Sequence, residues 1–155
     1  MHDEHIIVAA DHPSLAGDIE RFLTMLHAEQ RYFGPRARAN PKPSRSLIAT
    51  LRERGGFRMA VMVGGEIVGV ARVDGAGELS MAIASGHRGR GLGTELGRAV
   101  TLRARDLDFT RLVMRSTRRS RAARRVAEEL GCIIIDGRHG RTELIIDLLP
   151  VERTA

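Results

Sequence analysis

The spacing of apolar residues changes along the chain and predicts both strands and helices. Near the N-terminus, residues 5–10 predict a strand, and an apolar stripe at helical spacing predicts a helix capped by Asp11. Residues 32–43 are rich in proline and predict a loop. A second helix is predicted from Ser44 or Ser46 to the Gly55-Gly56 pair. The stripe of the first helix consists of Leu15, Ile19, Phe22, Leu23 and Leu26.

The rest of the chain predicts mainly strands, with two further helices. Residues 57–63 and 66–73 flank Gly64-Gly65, which indicates a two-residue hairpin turn. The order β-α-α-β-β-β-α-β-α-β-β predicts an α/β (α+β) fold with a mixed, mostly antiparallel sheet of about seven strands and helices on both faces. We expect a single domain over residues 1–155. The remaining predicted elements are strands over 78–84, 112–116, 132–136 and 142–148, and helices from 92 to about 107 and over 120–130.

Composition limits the classes of protein to consider. A hydrophobic content of 43% over 155 residues is typical of a globular protein with a core. No apolar run approaches membrane-spanning length, and the first residues have no basic start or apolar leader, so we expect a cytoplasmic protein without a membrane partner. The single Cys132 excludes an intrachain disulfide and a multi-cysteine zinc site, and the histidines show no metal-ligand spacing, so no metal is predicted.

The positive charge alone gives little support for a nucleic-acid partner. The net charge is +6, and all of the basic side chains except Lys42 are arginines. Such a bias is also typical of the proteins of a GC-rich genome. The chain has 3% aromatic residues and no tryptophan, so it lacks the stacking side chains typical of a single-strand binder.

The most informative stretch is Arg88-Gly89-Arg90-Gly91-Leu92-Gly93, which lies between a predicted strand and a predicted helix. Glycines let the backbone turn tightly and approach a ligand closely. Backbone amides at a helix N-terminus favour an anion, so the stretch indicates a pyrophosphate site. It lacks the G-x-G-x-x-G order of a dinucleotide loop and the lysine of a P-loop. An ordinary glycine-rich turn is the alternative, and the flanking elements disfavour it.

The stretch resembles the acetyl-CoA loop of the GNAT N-acetyltransferase superfamily, Gln/Arg-x-x-Gly-x-Gly/Ala, with Arg88, Gly91 and Gly93 at the defining positions. The order of predicted elements also matches the GNAT fold over nearly the whole chain. The resemblance implies acetyl-CoA as acyl donor and a pantetheine arm that enters a gap between splayed fourth and fifth strands. The implied donor-binding residues are Met81, Ala82 and Ile83 on the strand, Arg88, Gly89, Arg90, Gly91, Leu92, Gly93 and Thr94 in the loop, and Ser120 at a position where many members have asparagine.

Glu78 is the candidate catalytic residue. An ammonium must lose a proton before it can attack a thioester, and a carboxylate can accept that proton. The chain most resembles the bacterial protein lysine acetyltransferases, which carry a glutamate ten residues before the loop's Gln/Arg, as Glu78 stands to Arg88. Arg31-Tyr32-Phe33 and Ser44-x-x-Leu47 also resemble that branch. The alternative is that Glu78 merely begins an exposed strand edge.

The chain departs from the family at the predicted helix 120–130. Ala127 stands where many members have the tyrosine that protonates the departing thiolate, and Cys132 replaces a phenylalanine. The only tyrosine is Tyr32, so either the thiolate leaves without a protein acid or another group serves. Cys132 fits a small buried hydrophobe better than a nucleophile. Five arginines near this helix fit a solvated helix face, attraction of the CoA phosphates, or docking to an acidic partner; they are Arg118, Arg119, Arg121, Arg124 and Arg125.

Together these features predict an acetyl-CoA-dependent N-acetyltransferase, monomeric or homodimeric, whose acceptor is a primary amine. A protein lysine is the leading acceptor class, and a small-molecule amine is its competitor. The alternative from another class is a non-catalytic acyl-CoA-binding sensor or interaction domain, which the missing tyrosine leaves open. A nucleic-acid binder has little beyond charge in its favour.

Overall fold

The computed structural model describes residues 4–33, 55–117 and 120–149. The predicted helix from Ser44 or Ser46 and the loop after Phe33 lie outside the described residues. Single 3-10 turns precede the first helix, follow the fourth strand and precede the last strand. The strands are β1 (His5–Ala9), β2 (Phe57–Val63), β3 (Glu66–Val73), β4 (Leu79–Ile83), β5 (Arg111–Thr117), β6 (Ile133–Asp136) and β7 (Arg141–Asp147), and the helices are α1 (Ala16–Phe33), α2 (Leu92–Asp106) and α3 (Arg121–Leu130).

The seven strands form two antiparallel sheets, ordered β1-β2-β3-β4 and β5-β7-β6. The sheets meet at one parallel bridge between Glu78 and Val113, where the Val113 N–H donates to the Gly77 carbonyl at 2.9 Å. A Cβ at Gly77 would lie 2.7 Å from the Arg111 carbonyl oxygen, so this junction requires a glycine. The mostly antiparallel seven-stranded fold is therefore confirmed, and β4 and β5 part beyond the bridge.

The hairpin between β2 and β3 follows the prediction. Gly64 and Gly65 have φ of +58° and +82°, which are the left-handed values that a type I′ turn requires at both central residues. The register between the strands shifts between Val61 and Met62, which marks a β-bulge.

Helices cover both faces of the first sheet, as predicted. α1 buries Ile19, Phe22 and Leu26 against Ala60 and Val70 on one face. The buried residues of α2 pack on the opposite face, next to alternate strand residues; they are Leu92, Leu96, Val100 and Ala104. A hydrophobic core therefore lies on each side of the sheet. None of the helices in the described parts of the chain has the length and apolar character to cross a membrane.

Two local predictions near α1 were wrong. Asp11 caps no helix: the 3-10 turn before α1 is capped by His12, whose Nδ1 accepts from the Ser14 N–H at 3.1 Å. Asp11 instead accepts the Arg58 backbone N–H at 2.9 Å, because it stands at the end of β1 beside β2. The predicted loop also begins too early, since α1 continues through Tyr32 to Phe33 and ends before the first strong helix breakers.

Candidate functional site

The free edge of β4 faces the gap between the two sheets. The Ala84 N–H donates to the Val68 carbonyl at 2.8 Å, which fixes the phase of pairing with β3. Because backbone groups alternate in direction along a strand, those of Ala82 point to β3 and those of Met81 and Ile83 point to the gap. Of the three predicted strand residues, Met81 therefore has both backbone groups available for a ligand, and Ile83 has its N–H, since its carbonyl accepts from Arg88. Ala82 uses its own backbone groups in the sheet.

The loop after β4 exposes its backbone. Arg88 folds back, and its Nε donates to the Ile83 carbonyl at 3.0 Å. Gly89 and Gly91 have φ of +76° and +78°, which are left-handed values that disfavour residues with a Cβ. A Cβ at either glycine would meet no atom within 4 Å, so the surrounding space is open. The predicted pyrophosphate loop thus combines left-handed turns with an unobstructed backbone.

Helix α2 starts directly from this loop without a side-chain cap. Gly91 is its N-cap, and the first helical hydrogen bond runs from the Glu95 N–H to the Gly91 carbonyl at 3.1 Å. The amides of Leu92, Gly93 and Thr94 therefore have no acceptor within the helix. Three free donors at the positive end of the helix dipole can bind an anion.

Gly93 has a second role that the sequence pattern did not indicate. A Cβ there would lie 3.3 Å from the Cγ2 of Val126 on α3, and a Cβ at Gly97 would lie 2.7 Å from the Cδ1 of Leu130. The two glycines are one helical turn apart, so they let α2 and α3 approach closely. The spacing of Gly93 and Gly97 was the available signal for this contact.

The Thr94 side chain hydrogen-bonds to a residue of α3. Its Oγ1 donates to Glu129 Oε2 at 2.5 Å, and Arg125 Nε donates to the other oxygen of that carboxylate at 3.3 Å. The hydrogen bond from Thr94 and then that from Arg125 lower the pKa of Glu129 from its ordinary value. Thr94 can therefore offer a ligand its backbone amide but not its hydroxyl.

The start of α3 differs from that of α2. Ser120 is its N-cap, and the Oγ accepts from the Ala123 N–H at 3.3 Å. Two of the arginines of this helix form ion pairs, Arg124 with Asp136 at 2.9 Å and Arg125 with Glu129. The outer surface of α3 carries an open depression of about 510 Å³ lined by Arg121, Arg124, Arg125, Glu128 and Glu129. Arg118 and Arg119 lie outside the described residues.

Glu78 lies at the opposite end of β4, where the two sheets meet. Its carboxylate accepts from Arg115 Nη1 at 2.6 Å, and Arg115 Nε lies 3.9 Å from Glu143. The hydrogen bond from Arg115 to Glu78 raises the pKa of the guanidinium. The Glu78 side chain is 43% exposed, so an acceptor can reach it. Five residues separate Glu78 from Ile83, which corresponds to about 16 Å along an extended strand.

The position of the missing tyrosine is closed to solvent. Ala127 has 0% exposure, and its carbonyl accepts from the Cys132 N–H at 2.8 Å. Cys132 packs against the core on the α2 side of the sheet. Burial raises the pKa of the Cys132 thiol, which disfavours the nucleophilic thiolate.

A family model described as an acetyltransferase (GNAT) domain matches residues 12–133. The chain is similar in structure to yncA, a candidate acetyltransferase from Salmonella typhimurium solved with its cofactor acetyl-CoA, with a TM-score of 0.74, 17% identity, and coverage of 97% of this chain and 96% of that one. It is also similar to the ribosomal-protein-S18-alanine N-acetyltransferase from Escherichia coli, with a TM-score of 0.70, 13% identity, and coverage of 98% and 99%. A third similar structure is the aminoglycoside 6'-acetyltransferase type Ii, with a TM-score of 0.69, 13% identity, and coverage of 94% and 98%.

No curated protein matches the chain in sequence. At these identities the similar structures establish the fold.

Proposed function

The chain belongs to the GNAT acetyltransferase family, and on this basis we propose that it is an acetyl-CoA-dependent N-acetyltransferase that acts on a primary amine. The observation that carries the proposal is the uncapped start of α2 next to the free edge of β4. The start of α2 suits a diphosphate, which its backbone amides can bind. The free edge of β4 suits an extended arm, which can pair with it as an added strand does.

The donor is proposed to bind almost entirely through the main chain. The amides of residues 89–94 hold the pyrophosphate, and the backbone groups of Met81 and Ile83 pair with the pantetheine amides. Because β4 runs about 16 Å from Ile83 back to Glu78, an extended arm places the thioester toward the bridge between the sheets. Similarity to yncA, which was solved with acetyl-CoA, supports acetyl-CoA as the donor.

Glu78 is proposed as the general base. Its carboxylate takes a proton from the acceptor ammonium, and the neutral amine then attacks the thioester carbon. A C–N bond forms, the C–S bond breaks, the electron pair leaves on the CoA sulfur, and the second proton of the nitrogen passes to solvent water. A carboxylate has lone pairs to spare, so Glu78 can accept from Arg115 and from the ammonium together. Backbone donors on β4 stabilise the negative charge on the carbonyl oxygen.

The thiolate is proposed to leave without a protein acid. Ala127 carries no proton donor and is fully buried, so no side chain at that position can reach the sulfur. A thiol with a pKa of about 8.5 is a tolerable leaving group as its anion.

Two acceptor classes compete for this site. A protein lysine is favoured by the spacing of Glu78 and Arg88 and by Arg31-Tyr32-Phe33. One similar structure acts, by its name, on an alanine of a ribosomal protein, and another acts on an aminoglycoside, so the fold accommodates protein and small-molecule acceptors.

The experiment that tests the proposal measures thiol release from acetyl-CoA. The protein is incubated with acetyl-CoA and a panel of small amines, lysine peptides and whole proteins, and mass spectrometry identifies the acetylated product. We expect amine-dependent thiol release and micromolar to millimolar binding of acetyl-CoA by calorimetry. Binding without transfer to any amine would favour the acyl-CoA sensor instead, and absence of binding would contradict both functions.

A further inference from the structure

Two arginines stand directly opposite each other on the α1 face of the first sheet. Arg58 on β2 pairs with Arg72 on β3, and Arg72 pairs with Ser80 on β4. Arg58 is two residues from Ala60 and Arg72 is two residues from Val70, so both share the face that α1 covers. Directly opposite residues have Cβ atoms about 4.5–5.5 Å apart, and like charges at this distance repel.

Two of the three guanidinium nitrogens of Arg58 are buried without a hydrogen-bond partner in the described parts of the chain. Arg58 is 4% exposed, and its Nε and Nη1 are buried without an acceptor in the described parts of the chain. The buried Nε of Arg72 likewise has no acceptor there. Unpaired donors of a charged group are costly to bury, and removal from water lowers the pKa of Arg58. A ligand anion at this position would satisfy these donors and relieve the repulsion.

The nearby carboxylates are already occupied. Asp11 uses one oxygen for the backbone N–H of Arg58 and the other for Arg103 Nη2, at 2.9 and 3.3 Å. Glu78 is paired with Arg115. The charge of Asp11 stabilises the Arg58 guanidinium from nearby. Neither Asp11 nor Glu78 hydrogen-bonds the guanidinium of Arg58 or Arg72, so the buried nitrogens named above keep no acceptor.

The pair lies next to the proposed catalytic base. Glu78 precedes Ser80 by two residues on the same face of β4, which makes it a diagonal neighbour of Arg72, with Cβ atoms about 7–8 Å apart. An amine held at Glu78 would therefore have its next few atoms within reach of the two guanidiniums.

We propose that Arg58 and Arg72 form an anion subsite that binds a carboxylate of the acceptor, so that the acceptor is a small amine carrying a carboxylate, such as a free amino acid. This inference rests on the proposed acetyltransferase function and names its substrate class. A planar carboxylate matches the paired donors of a guanidinium. A protein lysine brings an ammonium with no carboxylate close to it, so it would leave the buried donors of the two arginines unpaired. The burial of Arg58 also requires a group small enough to enter the interior.

The test compares amines that differ only in the carboxylate. Wild-type protein is assayed for kcat/KM with free L-amino acids, with the carboxamide of each, and with lysine peptides. The variants are Arg58→Met and Arg72→Met, which keep a long unbranched side chain but remove the charge. Arg105→Met is the matched control, because Arg105 is exposed near the end of α2, away from this face. Circular dichroism and calorimetry with acetyl-CoA verify that each variant folds and binds the donor.

The wild type and Arg105→Met should prefer an amino acid over its carboxamide by roughly 10- to 150-fold, the value of hydrogen bonds to a charged group. Arg58→Met and Arg72→Met should lose that preference through a higher KM for the amino acid, with the carboxamide little changed. Equal rates for acid and carboxamide, or faster acetylation of lysine peptides, would overturn the subsite while leaving the acetyltransferase function intact. Failure to bind acetyl-CoA would overturn the function itself.

A second measurement does not depend on turnover. Sulfate serves as the probe anion, and thermal unfolding is compared in sodium sulfate and in sodium chloride at equal ionic strength. The stabilisation by sulfate should be larger for the wild type and Arg105→Met than for the doubly substituted R58M/R72M, because an anion that binds the folded state raises its stability. An equal response in all three proteins would contradict the subsite.

Discussion

The two ends of β4 expose different kinds of chemical group. At the Ile83 end, the exposed groups are backbone amides next to left-handed glycines and an uncapped helix. At the Glu78 end, they are charged side chains in ion pairs, with Arg115 between Glu78 and Glu143. The first end therefore suits binding of a ligand common to a whole family, and the second suits chemistry and selection of one acceptor.

The difference explains how each end responds to substitution. Backbone donors survive most side-chain changes, so only a residue that alters φ or fills the open space harms them. A side-chain group, by contrast, is removed by a single substitution of its own residue. Substitutions at the Glu78 end should therefore change turnover or acceptor choice, whereas those at the Ile83 end should change donor affinity.

The largest expected effect is that of Glu78→Gln. The amide keeps the size of the carboxylate and one acceptor oxygen for Arg115, but it cannot accept the proton. We expect turnover at neutral pH to fall by roughly 10²- to 10⁴-fold, as is usual for loss of a general base, with unchanged calorimetric affinity for acetyl-CoA. The remaining rate should rise with pH, because more of the acceptor amine is then already neutral.

Glu143→Gln is the matched control for that variant. Glu143 is the other carboxylate near Arg115, at 3.9 Å, and its loss should leave turnover within a few-fold of the wild type. Near-normal turnover of Glu78→Gln would make Glu78 a surface strand residue and assign the proton transfer elsewhere.

Gly91→Val should weaken donor binding. A valine at φ of +78° is strained, and its side chain would occupy the open space in front of the α2 amides. We expect the affinity for acetyl-CoA to fall by roughly 10- to 150-fold in calorimetry, since hydrogen bonds to a charged group are lost. Gly64→Val places the same strain at φ of +58° in the β2–β3 turn, far along the chain from the loop, and should leave the affinity unchanged. Full affinity in a folded Gly91→Val protein would argue against the loop as the phosphate site.

Ala127→Tyr tests the absence of a protein acid. Ala127 is fully buried, so a tyrosine there should overpack the core and cost about 1–3 kcal/mol of unfolding free energy rather than raise the rate. Thermal or urea unfolding measures the loss. A stable variant with faster turnover would show that a path from position 127 to the sulfur exists. Tyr32→Phe should leave turnover unchanged, and a large loss would assign a role to that phenol.

The smallest expected effect concerns the contact between Thr94 and Glu129. The pKa of Glu129 is lowered in the folded protein, so its stabilising contribution is present above its ordinary value of 4.5 and disappears as pH falls through the lower, folded-state value. Thr94→Val should reduce this acid sensitivity, as measured by denaturant unfolding between about pH 2 and pH 6. Acetyl-CoA affinity should persist, because the proposed donor contact at position 94 is the backbone amide, which the substitution keeps. An unchanged pH dependence would show that the hydrogen bond contributes nothing to stability.

The sequence predicted most of the described fold because each strand has its own local signal. Gly64-Gly65 defines a hairpin, and the change from strand to helical periodicity after Gly86 marks the loop. The errors occurred where a tertiary contact overrode the local sequence preference. Aspartate is a residue type that favours helix caps, but Asp11 lies beside β2 and accepts the backbone N–H of Arg58 instead. The resemblance implied that the fourth and fifth strands splay apart, and the structure adds that they keep one bridge, between Glu78 and Val113.

The backbone shape of the candidate site was predictable where it depends on glycines and not where it depends on register. Gly89 and Gly91 predicted a tight turn from sequence alone, and both have left-handed φ; phosphate binding by this loop stays a prediction. Which of residues 81–83 faces the gap depends on the phase of pairing with β3, which no short motif encodes. The facing of Arg58 and Arg72 requires the register between β2 and β3, and the pairing of Glu78 with Arg115 requires the bridge between the sheets.

The parting of β4 and β5 has a consequence for how the protein survives in a cell. Beyond the Glu78–Val113 bridge, both strands present unpaired edges, the kind of surface on which other chains can add as strands and begin to aggregate. A pantetheine arm that pairs with β4 would occupy this edge as a substitute strand. We therefore expect acetyl-CoA to stabilise the folded protein. Its binding should slow amide hydrogen exchange at Met81 and Ile83 and suppress aggregation on heating. The steady-state amount of the protein would then follow the supply of acetyl-CoA.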